Sequence, residues 1–497
     1  MNAIILAAGF GIRLESITMH KPKSMIRVCG KPILEYQLDA YQAAGIDNIT
    51  IVTGYKSESI GNFIQRKNYN NVKIVINNDF DKTNNMYSLW LCKEILLNSD
   101  RTIISNADVV FDKSIIKRLI DCKNDYIVCE KDLFNNESMK ISINANGKVD
   151  DISKVINENN AYGCSIDLYS FNKKTTIKLF EEMNSIIEKD KNQWTEVALQ
   201  KLCNDQKVEI LPFCLECNER WFEIDTIEDL ILAESTFSTL VKKINNKRRF
   251  IFDLDGTVYI GNTLIDGIDE LISTIQKTGS TLDFLSNNSS KNKFEYVQKL
   301  KSFGIYIDEN QVILSTDASV KYLTQNQYKK GFIIGTKTMK KYLTDNGITH
   351  SDNNPEFVLL GYDTEIDYDK IHKASLLINS GLPYFATHND KFCPTMSGPI
   401  PDAGSFIEMF KVATGREPIV FGKPEKFMID YLTEGSIDIA DIVFIGDRLH
   451  TDFEMAKLIG MDFICVLTGE TKREDIENEA IWPSLILESA AEISNFL

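Results

Sequence analysis

The stretch Phe250-Ile251-Phe252-Asp253-Leu254-Asp255-Gly256-Thr257 joins a short apolar run to two carboxylates that stand two residues apart. If the run is a buried strand, its period of two places Asp253 and Asp255 on the same side as the strand ends, and Gly256 lets the backbone turn away. One carboxylate could then attack phosphorus while the other moves a proton, beside a divalent cation. Asp and Gly are also common turn residues, so an Asx turn at a strand end is the alternative. The stretch predicts a parallel α/β sheet with a phosphoryl-transfer site at its edge.

Three later segments supply the other groups that such a site needs, in a consistent order. Leu282–Ser289 is an apolar stretch that ends in hydroxyl and amide donors suited to phosphate oxygens. Gly422-Lys423-Pro424 provides a lysine next to a proline that can begin a helix. Ile442–Asp447 is another apolar run that ends in a carboxylate, and Asp452 follows it; oxygen ligands of this kind suit Mg2+. Each segment alone is weak evidence, whereas the ordered set is strong.

This ordered set resembles the haloacid dehalogenase-like phosphatases, from about residue 249 to residue 497. The resemblance implies that Asp253 is the nucleophile that forms an aspartyl-phosphate and that Asp255 is the general acid and base. It also implies a Mg2+ site and a phosphate site. The residues concerned are Asp253, Asp255 and Asp447 for the metal, with Asp452 in support, and Ser286, Asn287, Asn288 and Lys423 for the phosphate.

The segment between Ser286 and Lys423 looks like a large inserted α/β cap, at about residues 317–417. The resemblance is to the subgroup of nucleotide, phosphoglycolate and pyridoxal phosphate phosphatases, in which the cap helps to choose the substrate. The motif Ala386-Thr387-His388-Asn389-Asp390 departs from that subgroup, which generally has Asn where His388 stands. The sequence therefore leaves the substrate open, and a structural role for His388 is more typical than a catalytic one.

A second phosphate site is predicted at the amino terminus. The strand-like run Ala3-Ile4-Ile5-Leu6 leads directly into Ala7-Ala8-Gly9-Phe10-Gly11-Ile12-Arg13-Leu14, whose small residues let the backbone approach a nucleotide. Lys21-Pro22-Lys23 and Gly30-Lys31-Pro32 follow, and cations at these places would withdraw charge from a triphosphate and its leaving pyrophosphate. A solvated basic loop is the alternative.

The arrangement resembles the nucleotidyltransferases that join a nucleoside triphosphate to a sugar phosphate or an alcohol phosphate, over about residues 1–234. The resemblance implies Mg2+ held by Asp108 and Asp225, although the family usually shows Gly-Asp where this chain has Ala107-Asp108. It also implies catalytic roles for two cations and a nucleotide-binding loop. These residues are Arg13 and Lys23 for catalysis and Leu6, Ala7, Ala8, Gly9 and Gly11 for the loop.

Within that family, Asn84-Asn85-Met86-Tyr87-Ser88-Leu89 is similar to the Asn-Asn-x-Tyr-Ser segment of the phosphocholine and aminoethylphosphonate cytidylyltransferases. The resemblance places Asn85, Tyr87 and Ser88 near the nucleotide and acceptor, and Lys140 and Lys154 near phosphates; either lysine could instead be an ordinary exposed residue on a strand. Trp194 and Glu196 could line a pocket for a cationic head group, aromatic face plus carboxylate. Trp194 is equally compatible with a core or interface position.

The leading hypothesis is a bifunctional enzyme that transfers CMP from CTP to a small phosphorylated alcohol, amine or phosphonate and also hydrolyses a phosphomonoester. The alternative is a sugar-1-phosphate nucleotidyltransferase that uses UTP, dTTP or GTP, fused to a sugar-phosphate phosphatase. A nucleotide-binding domain that does not react is a third reading, which would predict loss of Asp108 or Asp225. Both residues are present.

Length and composition agree with two Rossmann-like α/β domains. The 497 residues are too many for one ordinary domain, and we expect domains at 1–241 and 250–497, with a linker at the basic run 242–249. A net charge of −16 argues against a nucleic-acid partner, and no apolar run is long enough for a membrane span. The ten cysteines and the lack of a signal-like segment favour the cytoplasm; the oligomeric state, including a homo-oligomer, is left open.

Overall fold

The computed structural model describes residues 1–19, 21–393, 398–435, 437–477 and 479–497, except for the side chains of Ile12, Glu15 and Ser16. The chain separates into two compact units, Met1–Phe237 and Ser238–Leu497. The basic run expected to be a linker belongs to the second unit. Ile244 is fully buried in its core, and the Lys247 ammonium lies 2.6 Å from an Asp462 oxygen. Apolar residues between the charged ones therefore anchor this stretch.

The first unit is built on a mixed sheet whose centre is parallel. Its strands are β1 Asn2–Ala7, β2 Arg27–Val28, β3 Lys31–Pro32, β4 Asn48–Thr53, β5 Val72–Ile76, β6 Arg101–Asn106, β7 Val109–Phe111, β8 Asp125–Lys131, β9 Lys140–Ile143, β10 Val149–Ser153, β11 Gly163–Asn172, β12 Ile210–Cys214 and β13 Trp221–Glu223. Its helices are α1 Glu15–Thr18, α2 Ile33–Ala43, α3 Ser57–Arg66, α4 Asn85–Trp90, α5 Lys93–Asn98, α6 Lys113–Ile120, α7 Lys173–Ile187, α8 Thr195–Asn204 and α9 Ile227–Phe237.

The main sheet of this unit runs in the order β10-β9-β11-β6-β1-β4-β5, and β8 joins β11 to β12. β1 pairs in parallel with both β4 and β6, which explains its nearly continuous apolar sequence. Separate apolar clusters, one containing Ile5 and one containing Ile4, lie on opposite faces of β1. The polar residues that follow β1 and β6 are thereby brought together at the carboxyl edge of the sheet.

The second unit contains a parallel core sheet and a separate cap sheet. Its strands are β14 Arg249–Asp253, β15 Tyr259–Ile260, β16 Thr263–Leu264, β17 Thr281–Ser286, β18 Val312–Leu314, β19 Lys330–Ile334, β20 Thr349–His350, β21 Phe357–Leu360, β22 Tyr384–Ala386, β23 Phe392–Cys393, β24 Ile400–Pro401, β25 Ile419–Val420, β26 Ile442–Gly446, β27 Asp462–Val466 and β28 Leu485–Leu487. Its helices are α10 Ile268–Thr278, α11 Lys293–Ser302, α12 Ser315–Gln325, α13 Lys337–Asp345, α14 Tyr368–Asn379, α15 Ala403–Thr414, α16 Lys426–Leu432, α17 Glu454–Ile459 and α18 Arg473–Ile476.

The core sheet runs in the order β18-β17-β14-β26-β27-β28, so β14 lies between β17 and β26. The cap sheet runs in the order β20-β19-β21-β22-β25 and comes from the chain between β18 and α16. A π-helical turn, Leu449–Phe453, follows β26 and leads into α17. The strand ends that carry Asp253, Ser286 and Asp447 are neighbours in the core sheet, as their sequence positions predict.

None of the helices in the described part of the chain combines the length and the apolar character needed to cross a membrane.

Candidate active sites

A cavity of about 270 Å³ opens at the carboxyl edge of the first sheet. It is lined by small residues that follow β1, by α4 and by polar groups after β6 and β13. Among the residues predicted from sequence, those lining it are Leu6, Ala7, Ala8, Gly9, Arg13, Lys23, Asn85, Ser88, Asp108 and Asp225, together with Lys154, Trp194 and Glu196.

Three residues predicted to bind the nucleotide or substrate lie outside this lining. Lys140 is buried, and its ammonium donates to the carbonyl oxygens of Asn135 and Asn136 at 2.9 and 3.2 Å. It therefore holds its own loop in place, while Ser138 and Met139 face the cavity. The Tyr87 ring stacks on Trp90, with centroids 5.5 Å apart.

Gly11 shapes the loop from behind. Its φ of 67° is in the left-handed region, and a Cβ there would lie 3.0 Å from the Lys23 Cβ. A side chain at this position would thus push against the lysine.

Lys23 bridges the carboxylates that end β6 and β13. Its Nζ lies 2.8 Å from Asp108 Oδ2 and 2.5 Å from Asp225 Oδ1. Burial acts to lower the pKa of Lys23, but the two carboxylates raise it overall. Burial likewise acts to raise the pKa of Asp225, and Lys23 and Arg13 lower it overall. Lys23 and Asp225 are therefore held in their charged forms.

The oxygens of Asp108, Glu223 and Asp225 come close enough to bind one metal ion, within 4.8 Å of one another. Asp108 Oδ1 is buried and has no hydrogen-bond partner among the described residues. A divalent cation would satisfy that oxygen, and carboxylate oxygens suit Mg2+. Burial, with Asp108 and Asp225 nearby, raises the pKa of Glu223 to about 7. Sequence reasoning did not assign Glu223, although it ends β13 two residues before Asp225.

A second acidic group lines the same cavity farther from Lys23. The Tyr169 hydroxyl lies 2.7 Å from Glu196 Oε1 and 3.1 Å from Asp167 Oδ1, and burial raises the pKa of both carboxyls. The Trp194 side chain is 44% exposed, and the Lys154 ammonium lies 5.2 Å from its ring centroid. Trp194 thus faces the cavity rather than the core. Asp167 has no sequence signal, because its own backbone is left-handed (φ 55°) within β11, where the alternation of a strand is interrupted.

The Lys423 ammonium occupies the corresponding bridging position in the second unit. Its Nζ lies 2.5 Å from Asp253 Oδ1 and 2.7 Å from Asp452 Oδ1, and all three side chains are almost fully buried. Burial raises the pKa of Asp253 and Lys423 acts against this rise. The nucleophile predicted from sequence therefore depends on the lysine for its charge.

A metal site adjoins this bridge. The oxygens of Asp253, Asp447 and Asp452 approach within 4.8 Å of one another, an oxygen donor set that fits Mg2+. Burial, with Asp452 nearby, raises the pKa of Asp447 to about 6. The Glu470 N–H donates to Asp447 Oδ2 at 2.7 Å, and a Cβ on Gly469 would lie 1.9 Å from that oxygen. The carboxylate is therefore held in place by backbone that only glycine allows.

Asp255 lies apart from that carboxylate cluster. It lines a small cavity of about 40 Å³ together with Asp253, Ser286, Asn287, Asn288 and Lys423. Its side chain faces the cavity from the loop after β14, and its metal role stays a prediction. Asn287, which follows β17, is joined to the loop before α16, because its Oδ1 accepts a hydrogen bond from the Lys423 N–H at 2.7 Å.

The cap contributes groups to the same cavity that sequence reasoning did not assign. Asp390 accepts from Asn287 Nδ2 and from Arg448 Nη1, both at 3.2 Å. His388 is fully buried, and its Nε2 lies 2.9 Å from Asp402 Oδ1. Burial acts to lower the pKa of His388, but Asp402 raises it overall. These contacts favour a structural role for the histidine.

Each α/β unit carries a lysine between two carboxylates, half-buried in the first unit and buried in the second, an arrangement typical of enzymes that act on phosphate esters or anhydrides. Residues 2–237 match the nucleotidyl transferase family, residues 250–349 the haloacid dehalogenase-like hydrolase family, and residues 420–493 a related hydrolase family of the same kind. The chain belongs to the haloacid dehalogenase-like hydrolases through its second half and carries a nucleotidyl transferase domain in its first. It is thus an enzyme with both transferase and hydrolase activity.

Individual relatives match about half of this chain. The 5'-nucleotidase YutF of Bacillus subtilis is 31% identical over 245 residues, which is 49% of this chain and 96% of the relative. The acid sugar phosphatase of Staphylococcus saprophyticus is 28% identical over 253 residues, 50% of this chain and 98% of the relative. A solved 4-nitrophenylphosphatase from Thermotoga maritima is 33% identical, with a TM-score of 0.49, over 51% of this chain and 98% of that chain.

Proposed function

We propose that the first unit transfers CMP from CTP to a small phosphorylated amino alcohol or phosphonate, and that the second hydrolyses a small phosphomonoester through an aspartyl-phosphate. The observation that carries the proposal is the pair of lysine-bridged carboxylate clusters, each at the edge of a parallel sheet. Both clusters fit a divalent cation beside a phosphate.

The acceptor proposal rests on the acidic end of the first cavity. Asp167 and Glu196 share one phenol donor, and Trp194 presents its ring beside them. An ammonium group would meet two carboxylates and an aromatic face, a combination that suits cations. Burial raises the pKa of both carboxyls, and a cationic acceptor would favour their charged forms, whereas a neutral sugar would not.

The choice of CTP rests on the similarity of Asn84–Leu89 to the cytidylyltransferases. In the structure Asn84 caps α4, and Asn85 Oδ1 accepts from the Thr195 N–H at 2.8 Å. Asn85 thereby ties α4 to the start of α8, which carries Glu196. The segment is placed to connect a nucleotide with an acceptor bound near Trp194.

In the transfer, an acceptor oxygen forms a bond to the α-phosphorus as the bond to pyrophosphate breaks, without a protein nucleophile. Asp108, Glu223 and Asp225 would hold Mg2+, which supplies positive charge to the phosphates. Lys23 and Arg13 add positive charge from the protein, and the loop at Ala7–Gly9 offers backbone N–H groups. Because all these groups are fixed before substrate binds, catalysis here is positioning and electrostatic stabilisation.

In the hydrolysis, an Asp253 oxygen bonds to phosphorus as the ester P–O bond breaks, and Asp255 gives a proton to the leaving oxygen. Water then bonds to phosphorus as the bond from phosphorus to the Asp253 oxygen breaks, Asp255 takes up a proton of the water, and inorganic phosphate leaves. Lys423 and Ser286 stabilise the phosphate charge, and Asp253, Asp447 and Asp452 would hold Mg2+, which supplies further positive charge.

The decisive test is pyrophosphate release by the Asp253→Asn protein, in which the phosphatase cannot consume the acceptor. CTP, UTP, dTTP and GTP are each paired with choline phosphate, aminoethylphosphonate and glucose 1-phosphate in the presence of Mg2+. We expect release with CTP and a cationic acceptor. Turnover only with UTP, dTTP or GTP and glucose 1-phosphate would replace this proposal with nucleotide-sugar synthesis.

A further inference from the structure

A buried phenol lies directly behind Asp255. Tyr259 is fully buried, and its hydroxyl donates to Asp255 Oδ2 at 3.5 Å. The backbone closes the same loop, because the Gly256 N–H donates to the Tyr259 carbonyl at 2.9 Å. The carboxylate and the phenol are therefore tied together by a side-chain contact and by the backbone.

The phenol is fixed in turn by a lysine on α11. The Lys299 ammonium lies 3.4 Å from the centroid of the Tyr259 ring and donates to the Gly261 carbonyl at 2.7 Å. The Phe303 ring also packs against the Tyr259 ring, with centroids 5.8 Å apart. A cation over an aromatic face is attractive, and more so when the pair is partly desolvated. The hydroxyl is thus held at one place relative to Asp255.

A second pair of the same kind serves the phosphate side of the cavity. Burial raises the pKa of Tyr296 on α11, and the neighbouring Ser286 side chain acts against this rise. The Lys291 ammonium lies 5.8 Å from its ring centroid. One tyrosine therefore contacts the proton-transfer group and the other contacts a phosphate-binding group, which gives the two pairs different expected effects.

We propose that Tyr259, held by Lys299, is a positioning residue that fixes one oxygen of Asp255 so that its other oxygen meets the leaving group. This inference rests on the proposed phosphatase chemistry. In the step concerned, the Asp253 oxygen–phosphorus bond forms, the ester P–O bond breaks, and the Asp255 proton goes to the departing oxygen. Phosphate binding by Ser286 and Lys423 does not involve Tyr259.

Proton donation matters more for a poor leaving group than for a good one. The test therefore compares kcat/KM for phenyl phosphate and for 2,4-dinitrophenyl phosphate, since this constant reports the steps up to cleavage of the ester. For Tyr259→Phe we expect about a tenfold loss with phenyl phosphate, below the roughly 10²–10⁴-fold that removal of a general acid itself costs, and less than about twofold with the dinitrophenyl ester. Tyr296→Phe should instead affect both esters alike.

Two controls separate the inference from the proposed function. Asp255→Asn should show the same selectivity with a larger loss; if it shows none, the acid role of Asp255 fails, and the inference with it. If Asp255→Asn is selective but Tyr259→Phe lowers both esters equally or neither, only the inference is overturned. Tyr384→Phe is the matched control, because this buried hydroxyl has no hydrogen-bond partner in the described part of the chain.

Lys291 also acts through its charge on Asp255 but contacts Tyr296 rather than Tyr259, so Lys291→Met is the control for a direct charge effect. If Tyr259→Phe does not fold, Lys299→Met decides the question against that control, with the hydroxyl left in place. We expect a selective loss of about threefold with phenyl phosphate, as befits a weak cation–π contact. An unchanged ratio of the two kcat/KM values in Lys299→Met would overturn the inference.

Discussion

Replacing Lys23 with methionine should separate the catalytic role of this residue from its effect on metal binding. The ammonium lies 2.8 Å from one carboxylate oxygen and 2.5 Å from another, and its side chain is only 13% exposed. At an effective dielectric constant of about 20, each contact amounts to about 6 kcal/mol of Coulomb attraction before desolvation is counted. The cost of desolvating the charges offsets much of this attraction. Loss of one member of a buried ion pair typically lowers the free energy of unfolding by about 3–5 kcal/mol.

The same charge should matter for the leaving pyrophosphate. Removing one fixed electrostatic contact of this kind typically lowers kcat by about 10²–10³-fold, so we expect that loss for Lys23→Met. The affinity for a metal ion in the absence of nucleotide should instead rise, because Asp108 and Asp225 lose the cation that neutralises them. The assays are pyrophosphate release in the Asp253→Asn background and titration of the nucleotide-free protein with Mn2+ by electron paramagnetic resonance.

Lys67→Met is the matched control. Lys67 also contacts a carboxylate, Glu35, at 2.6 Å, but it lies outside the cavity lining. We expect its kcat to stay within about twofold of the parent, as for most surface substitutions. If Lys23→Met kept a kcat within threefold of the parent, or bound Mn2+ more weakly, the electrostatic reasoning would be refuted.

Three further predictions follow from the two sites. Asp253→Asn should abolish phosphate release from any monoester while pyrophosphate release stays unchanged, since the two chemistries use separate residues; a parallel loss of both in coupled assays would contradict this. Glu196→Gln should raise the KM for a cationic acceptor about tenfold and leave the KM for CTP unchanged, as expected when one desolvated charge contact of about 1.4 kcal/mol is lost; initial-rate kinetics with each substrate varied would measure this. His388→Asn should lower the unfolding temperature most at pH 5.5–6. The folded-state pKa of His388 is raised by Asp402, so its pairing stabilises the protein fully below the ordinary histidine pKa of about 6.5 and is lost as pH rises through the folded value. Calorimetry of the parent and the variant from pH 5.5 upward would measure this. A difference in unfolding temperature that did not shrink as the pH rises would contradict the prediction.

The strand-end carboxylates could be predicted from sequence because parallel strands bring their carboxyl ends to one edge. Asp253 and Asp447 each follow an apolar run, and β14 and β26 are neighbours in the sheet. Local sequence thus placed the charges, and sheet pairing brought them together. Asp452 and Lys423 needed only a short helix or loop to reach the same point.

Other site residues depend on contacts that no local pattern encodes. Asp390 meets Arg448 only because the cap folds over the core sheet, across 58 residues of sequence. Asp167 faces the first cavity from a left-handed backbone position within a strand, where the alternation of side chains gives no guidance. Lys140 shows the converse, because a lysine on a strand near a nucleotide motif turned toward carbonyls of its own loop. In each case the partner, rather than the residue type, sets the role.

The lysine in each carboxylate cluster has a consequence for the chain without metal. Lys23 and Lys423 already supply a positive charge at the points where acidic side chains crowd together. We therefore expect both units to fold without an ion, unlike proteins in which the metal supplies the folding free energy. A chelator should stop both reactions reversibly and leave the unfolding temperature nearly unchanged. The ion would then bind together with the substrate and would not be needed for the stability of the fold.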